Sequence, residues 1–329
     1  MAGKKYCIGI EGTAHTAGIG IVDEKCGVLA NERHAFTTIE GGLIPRELAE
    51  HHAEKMPELA RAALEKSGIG WGEISCVAFS SGPGIGAPLS VAATTARMLS
   101  LLHNKPLVAV NHCVAHIEIA KKKCGSKNPL TLYVSGGNSQ VIGLESGRYR
   151  VYGETLDIGV GNLLDSFGRE IGLGFPAGPE IDRMFFEAEK YVQLPYSVKG
   201  MDVNFSGLLT AAKQKIPAEN KKDLAFSVMH TAYAMLVEVT ERALAHTGKK
   251  ELLLTGGVAS SKALQKMCAE MCAARGVKLN VCPHEFATDN GAMIAWNGMQ
   301  KFLAGKTVKP EKAVPEQRFR TDAEKVVWI

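Results

Sequence analysis

The stretch that decides the fold is Leu130-Thr-Leu-Tyr-Val-Ser-Gly-Gly-Asn-Ser-Gln-Val-Ile142. Its apolar residues alternate at Leu130, Leu132 and Val134, and the chain then turns through Ser-Gly-Gly-Asn-Ser before it becomes extended again, which predicts a β-hairpin. Two adjacent glycines let the backbone approach a ligand closely and direct several N–H groups at one cluster of oxygens, as a phosphate requires. A tight turn without a ligand is the alternative for a single Gly-Gly pair.

The combination of a strand and a glycine turn occurs again near the start of the chain. Residues 6–22 predict a second hairpin, whose bend contains Gly12, Thr13 and the carboxylate of Glu11. A carboxylate repels a bare nucleotide, so its place beside a phosphate loop implies a metal ion or a positioned water between the two. A capped turn with a surface Glu11 is the alternative.

A third such element lies in the second half of the chain. An apolar strand from residue 251 leads into Thr255-Gly256-Gly257, and a helix is predicted from about Ser261. We expect this second Gly-Gly pair to close over the adenosine side of a nucleotide whose phosphates the first pair holds.

Two histidines are placed where they can share a metal ion. A short strand at 107–110 is followed by Asn111-His-Cys-Val-Ala-His116, which predicts a helix with His112 and His116 on one face. A zinc peptidase requires Glu directly after the first histidine, and Cys113 occupies that position. Two histidines are too few for a metal site, so further oxygen ligands must come from elsewhere, and an accidental pair is the alternative.

Three acidic residues have both a structural and a functional interpretation. Asp165 lies in a helix predicted over 160–171. Asp182 follows a glycine- and proline-rich break, where it either favours a helix N-terminus or hydrogen-bonds ribose hydroxyls. Asp289 precedes a helix predicted over 292–302, where it is either an N-cap or a metal ligand.

The other predicted elements have structural interpretations. Helical spacing predicts a helix over 45–66, ended by Gly68 and kinked or divided by Pro57. Its adjacent His51 and His52 lie on different faces and are interpreted as structural or partner-facing. A loop at 80–89 leads into a helix over 91–102, a long helix covers 223–247, and 283–291 forms a largely polar loop.

Composition limits the function classes. The chain has 329 residues, 46% apolar content, a net charge of +4 and eight cysteines without a C-x-x-C pair. These features predict reduced thiols in a cytoplasmic protein, and nothing approaches the roughly 20 apolar residues of a membrane span or resembles a secretory signal. The charge is too small to predict nucleic-acid binding. Lysines at 121–123, 213, 215, 221 and 222 form either a phosphate track or ordinary solvated faces.

Two related halves predict the architecture. Each half opens with a glycine-turn hairpin, and the fold class that fits is α/β, a two-lobed actin-like ATPase (ASKHA) fold with duplicated ribonuclease H-like lobes and a nucleotide cleft between them. We assign residues 1–127 and 297–329 to an N-terminal lobe and 128–296 to a C-terminal lobe. The polar segment from residue 306 suits a linker to a further domain, or a helix that packs back on the first lobe.

Several motifs together resemble one family. They are Gly9-Ile-Glu-Gly-Thr-Ala-His-Thr16, His51-His-Ala-Glu-Lys-Met-Pro-Glu-Leu59, Asn111-His-Cys-Val-Ala-His116, Tyr133-Val-Ser-Gly-Gly137, Asn204-Phe-Ser-Gly207, Gly256-Gly-Val-Ala259 and Ala287-Thr-Asp-Asn-Gly-Ala292. In this order they resemble the tRNA threonylcarbamoyladenosine (t6A) biosynthesis family, and within it the archaeal and eukaryotic catalytic subunit of the KEOPS complex.

The resemblance implies a set of binding residues. One divalent metal ion, iron or zinc, is implied at His112, His116, Tyr133 and Asp289. ATP, AMP or threonylcarbamoyl-adenylate is implied at Tyr133, Val134, Ser135, Gly136, Gly137, Asp165, Gly178, Asp182, Gly256, Gly257 and Ser261. The family usually has Asn where Ser261 lies, and the shorter side chain puts that one contact in question.

The resemblance also implies an acyl transfer. The threonylcarbamoyl group moves from threonylcarbamoyl-AMP to N6 of adenosine 37 in ANN-decoding tRNAs, with Glu11 as our candidate for steering the attacking amine or its proton. The implied partners are tRNA and the KEOPS subunits: an atypical kinase, a small dimerising subunit and a further small subunit. The alternatives are a sugar or acetate kinase of the same fold, a non-catalytic ATP-binding scaffold, and a metallopeptidase, against which Cys113 argues.

Overall fold

Two five-stranded sheets repeat one topology. The computed structural model describes residues 3–38 and 43–328. The sheet orders are β3-β2-β1-β4-β5 and β8-β7-β6-β11-β12. In each sheet the first three strands are antiparallel and the last two join in parallel. The predicted duplication is therefore confirmed.

The strands are β1 Tyr6–Glu11, β2 Thr16–Asp23, β3 Val28–Ala35, β4 Ile74–Gly82, β5 Leu107–Asn111, β6 Leu130–Val134, β7 Ser139–Glu145, β8 Arg148–Glu154, β11 Glu251–Thr255 and β12 Lys278–Val281, with a separate ribbon of β9 Val198–Lys199 and β10 Asp202–Val203.

The helices follow the predicted pattern with local differences. α1 is one continuous helix through Pro57, and its C-terminal residue is followed by Gly68 at a φ of 65°. α2 begins at Gly86, five residues before the predicted start, because a helix accepts a proline such as Pro88 in its first turn. The helices are α1 Pro45–Ser67, α2 Gly86–Leu102, α3 His112–Cys124, α4 Val160–Glu170, α5 Gly178–Phe185, α6 Ser206–Lys215, α7 Lys221–Thr247, α8 Lys262–Arg275, α9 His284–Ala287 and α10 Gly291–Leu303.

Glycines let α10 lie directly on the first sheet. A Cβ atom on Gly20 of β2 would lie 2.3 Å from the backbone N of Ala292, and one on Gly9 of β1 would lie 2.1 Å from the backbone N of Ala295. Only hydrogen at these positions allows so close an approach of backbone to backbone. The contact fixes where α10 begins, and it thereby fixes the loop that precedes it.

The C-terminal segment packs against both sheets. Val308 pairs with Leu107 of the first sheet, whereas the backbone N–H of Val326 donates to Gly147 O at 3.0 Å beside the second. Up to residue 328 the segment contains two 3-10 turns, Pro310–Lys312 and Thr321–Ala323, so the alternative of a helix packed on the first lobe is wrong. Backbone pairing with strand ends replaces helical hydrogen bonds here.

Two properties bear on the setting of the protein. Among the described helices none is both long enough and apolar enough to cross a membrane. All eight cysteines are free thiols.

A row of three histidines gives the fold an acid-sensitive contact. His34 Nδ1 lies 2.7 Å from His51 Nε2, and His51 Nδ1 lies 3.3 Å from Nδ1 of the buried His52. Burial, with His52 and His34 nearby, lowers the pKa of His51 from 6.5 to about 4.

We expect His51→Gln to reduce the acid sensitivity of the fold. As the pH falls, His51 is protonated in the unfolded state near pH 6.5 but in the folded state only near pH 4. The stability that His51 contributes is therefore fully present above pH 6.5 and is lost as the pH falls toward 4. Urea unfolding of wild type and variant across this window measures the effect. Equal losses in the free energy of unfolding of the two proteins between pH 6.5 and 4 would contradict this role of His51.

Candidate functional site

The start of α3 brings two imidazoles to one point. β5 leads directly into the helix, and the side chain of Asn111 caps it by accepting a hydrogen bond from Val114 N at 3.1 Å. His112 and His116 are one turn apart, and their ring centroids are 4.7 Å apart with the planes at 85°. Both side chains are buried, so the sequence-predicted histidine pair faces the interior of the molecule.

The third member of the group comes from the loop before α10. Asp289 Oδ1 lies 3.1 Å from His116 Nε2 and 3.5 Å from His112 Nε2. The alternative role of Asp289 as an N-cap is wrong, because the side chain of Asn290 caps α10 by accepting from Met293 N at 2.9 Å. One ligand atom from each of His112, His116 and Asp289 lies within 4.8 Å of the others.

Unpaired polar atoms test whether these residues fit a metal ion. Tyr133, at the end of β6, has its ring 5.2 Å from the His116 ring. The Tyr133 hydroxyl and His116 Nδ1 are both buried without a hydrogen-bond partner among the described residues. Buried polar atoms are normally paired, so the Tyr133 hydroxyl beside the His116 ring points to a missing partner, whereas Nδ1 of His116 lies on the other side of the ring from Nε2, the nitrogen that faces Asp289. Two imidazoles and a carboxylate oxygen, with a phenol oxygen nearby, are donors that bind metal ions, so the group fits a metal ion.

Glu11 fixes the orientation of His112. One carboxylate oxygen accepts from Thr13 N at 2.7 Å and from its hydroxyl, and the other lies 3.1 Å from His112 Nδ1. Glu11 is fully buried. A carboxylate on Nδ1 selects the tautomer and turns Nε2 toward Asp289, as carboxylates do behind metal-bound histidines.

The charges in this group shift the pKa values of its members. Burial alone would lower the pKa of His112, but Glu11 and Asp289 outweigh it and raise the pKa from 6.5 to about 9. Burial also opposes ionisation of Asp289, yet the neighbouring His112 and His116 hold its pKa well below the usual value. Burial lowers the pKa of His116. The site is therefore an anionic pocket that attracts a proton or a cation.

We expect Tyr133→Phe to separate metal binding from folding. Removing an unpaired buried hydroxyl leaves the metal-free protein equally stable or about 1–2 kcal/mol more stable, because no protein hydrogen bond is lost. The stabilisation that added metal gives is expected to fall. Urea unfolding with and without Zn²⁺ measures both effects. Tyr233→Phe is the matched control, since its hydroxyl is also buried and unpaired; equal metal responses in the two variants would contradict the ligand role.

The first Gly-Gly turn forms an open set of N–H groups beside the cation site. Ser135 N donates to Asn138 O at 2.8 Å and closes the turn, while Gly136 O accepts from Asn162 N at 3.0 Å. Within the described residues, the N–H groups of Gly136 and Gly137 donate to no protein acceptor. The sequence-predicted hairpin of β6 and β7 is confirmed, and its turn is available to an anion.

The second Gly-Gly turn, Gly256–Gly257, lies against the end of β6. Gly256 has a φ of 96°, and a Cβ atom there would lie 2.1 Å from Val134 O. Gly257 then opens a 3-10 turn, Gly257–Ser260, and Ser261 caps α8. A side chain at Gly256 would separate the two Gly-Gly turns, so the glycine holds them together.

The predicted acidic residues are placed around the start of α5 and α8. Asp165 accepts from Ala177 N at 2.8 Å, and burial raises its pKa. Asp182 lies within α5, which begins four residues earlier at Gly178, so its assignment to the start of that helix is wrong. Instead Asp182 accepts from the Ser261 hydroxyl and from two backbone N–H groups at the start of α8.

The lysines proposed as a phosphate track are dispersed. Lys121 is buried and pairs with Glu118 at 3.1 Å, while Lys213 and Lys222 each pair with a glutamate. Lys122 and Lys123 lie over aromatic rings. These contacts agree with the alternative of ordinary structural and solvated lysines.

Solved structures define the class of fold. HypF from Thermococcus kodakarensis matches 92% of this chain and 48% of its own, with a TM-score of 0.63 and 15% identity. The activator of the 2-hydroxyisocaproyl-CoA dehydratase from Clostridium difficile, with bound ADPNP, matches 92% of this chain and 99% of its own, with a TM-score of 0.56 and 12% identity. With its duplicated sheets, the chain has the two-lobed actin-like ATPase fold.

Sequence comparison defines the family. Residues 27–296 match the family TsaD, described as tRNA N6-adenosine threonylcarbamoyltransferase. A relative of that name from Thermococcus kodakarensis is 54% identical over 98% of this chain and 99% of its own. One from Ignicoccus hospitalis is 50% identical over 98% and 100%. A probable bifunctional tRNA threonylcarbamoyladenosine biosynthesis protein from Methanothermobacter thermautotrophicus is 51% identical over 98% of this chain and 61% of its own. The chain belongs to the TsaD family and is an enzyme of the acyltransferase class.

Proposed function

We propose that this chain transfers the threonylcarbamoyl group from threonylcarbamoyl-AMP to N6 of adenosine 37 in ANN-decoding tRNAs. The observation that carries the proposal is the meeting of His112, His116 and Asp289 with the unpaired Tyr133 hydroxyl, at the end of the strand that leads into the open Gly136–Gly137 turn. Relatives of about 50% identity over nearly the whole chain carry the name of this activity.

The reaction needs orientation more than a nucleophilic side chain. The acyl phosphate is a mixed anhydride, so its carbonyl carbon is already activated. The amine N6 forms the new bond to that carbon, the bond from the carbon to the phosphate oxygen breaks, AMP leaves with the electron pair, and the proton lost from N6 passes to water. The N–H groups of Gly136 and Gly137 face the position of the phosphate and stabilise the charge of departing AMP.

The cation belongs to the same pocket. His112, His116, Tyr133 and Asp289 would hold it, and iron or zinc would suit their donor atoms. A bound cation supplies Lewis-acid polarisation of the carbonyl or a positive anchor for the phosphate. Val134, Ser135, Asp165, Gly178, Asp182, Gly256, Gly257 and Ser261 remain the proposed contacts for the rest of the nucleotide.

Glu11 is proposed to act by positioning His112. Its assignment to the attacking amine or its proton remains a prediction. Both carboxylate oxygens already have protein partners, which supports a positioning role better than direct proton transfer. Glu11→Gln keeps the shape of the side chain, so a loss of metal affinity together with activity supports positioning, whereas a loss of activity alone supports proton transfer.

The proposal also includes the partners, the division into lobes and the cellular location. The partners are tRNA and the KEOPS subunits, namely the atypical kinase, the small dimerising subunit and the further small subunit. The proposed lobes comprise 1–127 with 297–329, and 128–296, although the second boundary falls within α10, which packs on the first sheet from Ala292 onward. The eight free cysteines support a cytoplasmic location.

Reconstitution tests the proposal. The chain is combined with the partner subunits, an enzyme that makes threonylcarbamoyl-AMP in situ and ANN-decoding tRNA, and t6A is measured by mass spectrometry of nucleosides. We expect t6A with the wild type and none with Asp289→Ala. Glu285→Ala, an exposed acid in the same segment, is the matched control and is expected to be active. Equal t6A with and without the chain would overturn the proposal, and full activity of Asp289→Ala would leave only a scaffold role.

A further inference from the structure

A cavity borders α4 and the residues just before α2. It has a volume of about 350 Å³ and lies between Ile85, just before α2, and one side of α4. The residues that line it include Asn162, Ser166, Arg169 and Phe175. Neither the proposed metal ligands nor most of the proposed nucleotide contacts belong to it.

One face of α4 presents polar groups to this cavity. Asn162, Ser166 and Arg169 follow at helical spacing, while Leu163, Phe167 and their neighbours on the opposite face are buried in the core. The helical rise from Asn162 to Arg169 is about 10 Å.

Asn162 and Arg169 are exposed and Ser166 is half-buried, and Arg169 interacts electrostatically with Asp165. In the part of the chain that the structure describes, the amide of Asn162, the hydroxyl of Ser166 and the guanidinium of Arg169 form no side-chain hydrogen bond or ion pair. By contrast, Arg183 on the next helix pairs with two glutamates. A helical face of unpaired donors and acceptors beside a cavity is suited to a polar ligand.

The inner end of the cavity meets both parts of the reaction site. Asn162 N donates to Gly136 O at 3.0 Å, which joins α4 to the phosphate turn. Ile85 N donates to Thr13 O at 2.8 Å, and the Thr13 hydroxyl lies 3.3 Å from His112 Nδ1. Through Asn162 and Ile85, the wall of the cavity therefore contacts the phosphate turn and, by way of Thr13, His112.

An aromatic ring forms the side of the cavity. Phe175 is half-buried, and its ring and that of His15 form a T-shaped pair, with ring centroids 5.6 Å apart and planes at 87°. An unpaired base in a single-stranded RNA loop stacks on such rings. Enzymes that modify a base take it out of its stack into a pocket of this kind.

We propose that this cavity binds the acceptor nucleobase, a purine swung out of a single-stranded RNA loop. The base packs on Phe175 with its exocyclic amine toward Asn162 and Ile85, and Arg169 contacts an adjoining phosphodiester. The inference rests on the proposed function and adds the residues that select and position the acceptor.

The purine of the donor is the competing occupant. Asp165 borders the cavity, but its carboxylate accepts from Ala177 N next to α5. The other proposed adenosine contacts, Asp182 and Ser261, contact each other at the start of α8. Asp182 and Ser261 thus lie where α5 meets α8, and Asp165 of α4 lies at the boundary with the cavity, which leaves Asn162, Ser166 and Arg169 of α4 for a second ligand.

Steady-state transfer with the reconstituted enzyme tests the assignment. We expect Phe175→Leu and Arg169→Ala each to raise the KM for tRNA about tenfold, with the AMP dissociation constant unchanged within about twofold. Phe175→Trp is expected to restore the tRNA KM, since it keeps an aromatic face. Phe186→Ala and Arg275→Ala, both outside the cavity, are the matched controls and are expected to behave as wild type.

A direct binding measurement complements the kinetics. An anticodon stem-loop RNA with 2-aminopurine in place of the acceptor adenine changes its fluorescence when the base leaves its stack. We expect a change with the wild-type complex and a weaker one with Phe175→Leu at equal saturation. An altered AMP dissociation constant with unchanged tRNA KM would assign the cavity to the donor and overturn the inference. Absence of transfer by the wild type itself would instead overturn the proposed function.

Discussion

His116→Ala is expected to abolish metal retention and to lower threonylcarbamoyl transfer at least about 100-fold, beyond the 10–100-fold typical of residues that only support a ligand. The side chain lies 3.1 Å from Asp289 through Nε2, and its Nδ1 has no partner in the described part of the chain. The neighbouring His112 does not replace it, because Glu11 holds its Nδ1. Metal analysis and the t6A assay on the same preparation measure the two effects.

Cys113→Ala is the matched control for this prediction. Cys113 is buried between the two histidines on α3, and burial raises the pKa of its thiol to about 12, which disfavours a thiolate ligand. We expect the variant to keep metal and activity. If His116→Ala kept both while Cys113→Ala lost both, the metal would have to be bound through sulfur and the proposed ligand set would be wrong.

Gly20→Ala is expected to destabilise the fold by roughly 2–3 kcal/mol and to weaken metal binding at the same time. The added methyl group would lie 2.3 Å from Ala292 N, so α10 has to move away from β2. Asp289 and Asn290 directly precede that helix and move with it. The expected result is lower resistance to urea together with a weaker response to added Zn²⁺, although Gly20 contacts no ligand.

Gly207→Ala provides the comparison. Gly207 lies in the first turn of α6, and no atom lies within 4 Å of the position that a Cβ atom would take there. Alanine is therefore expected to be neutral or slightly stabilising. Should Gly20→Ala unfold like Gly207→Ala, close packing of α10 on the sheet would not be what positions Asp289.

The sequence predicted those features that short-range patterns encode. Alternating apolar residues and glycine turns identified both hairpins, including Leu130 to Ile142, and helical spacing placed His112 and His116 on one face. Backbone geometry and side-chain period act over a few residues, so they can be read locally. The predicted start of a helix was wrong where proline is compatible with a first turn, as at Pro88 in α2.

The remaining features depend on contacts between distant residues. Glu11 and His112 are 101 positions apart, and nothing in either neighbourhood predicts their hydrogen bond. Likewise, the carboxylate of Asp182 serves the N-terminus of α8, 80 residues away. The choice between N-cap and ligand for Asp289 was decided by Asn290, whose side chain already caps α10.

X-ray absorption at the metal edge of the loaded protein tests the central claim most directly. A mixed nitrogen and oxygen shell with multiple scattering from two imidazoles is the result that binding by His112, His116, Tyr133 and Asp289 predicts. A sulfur ligand, or a shell without imidazole, would contradict it.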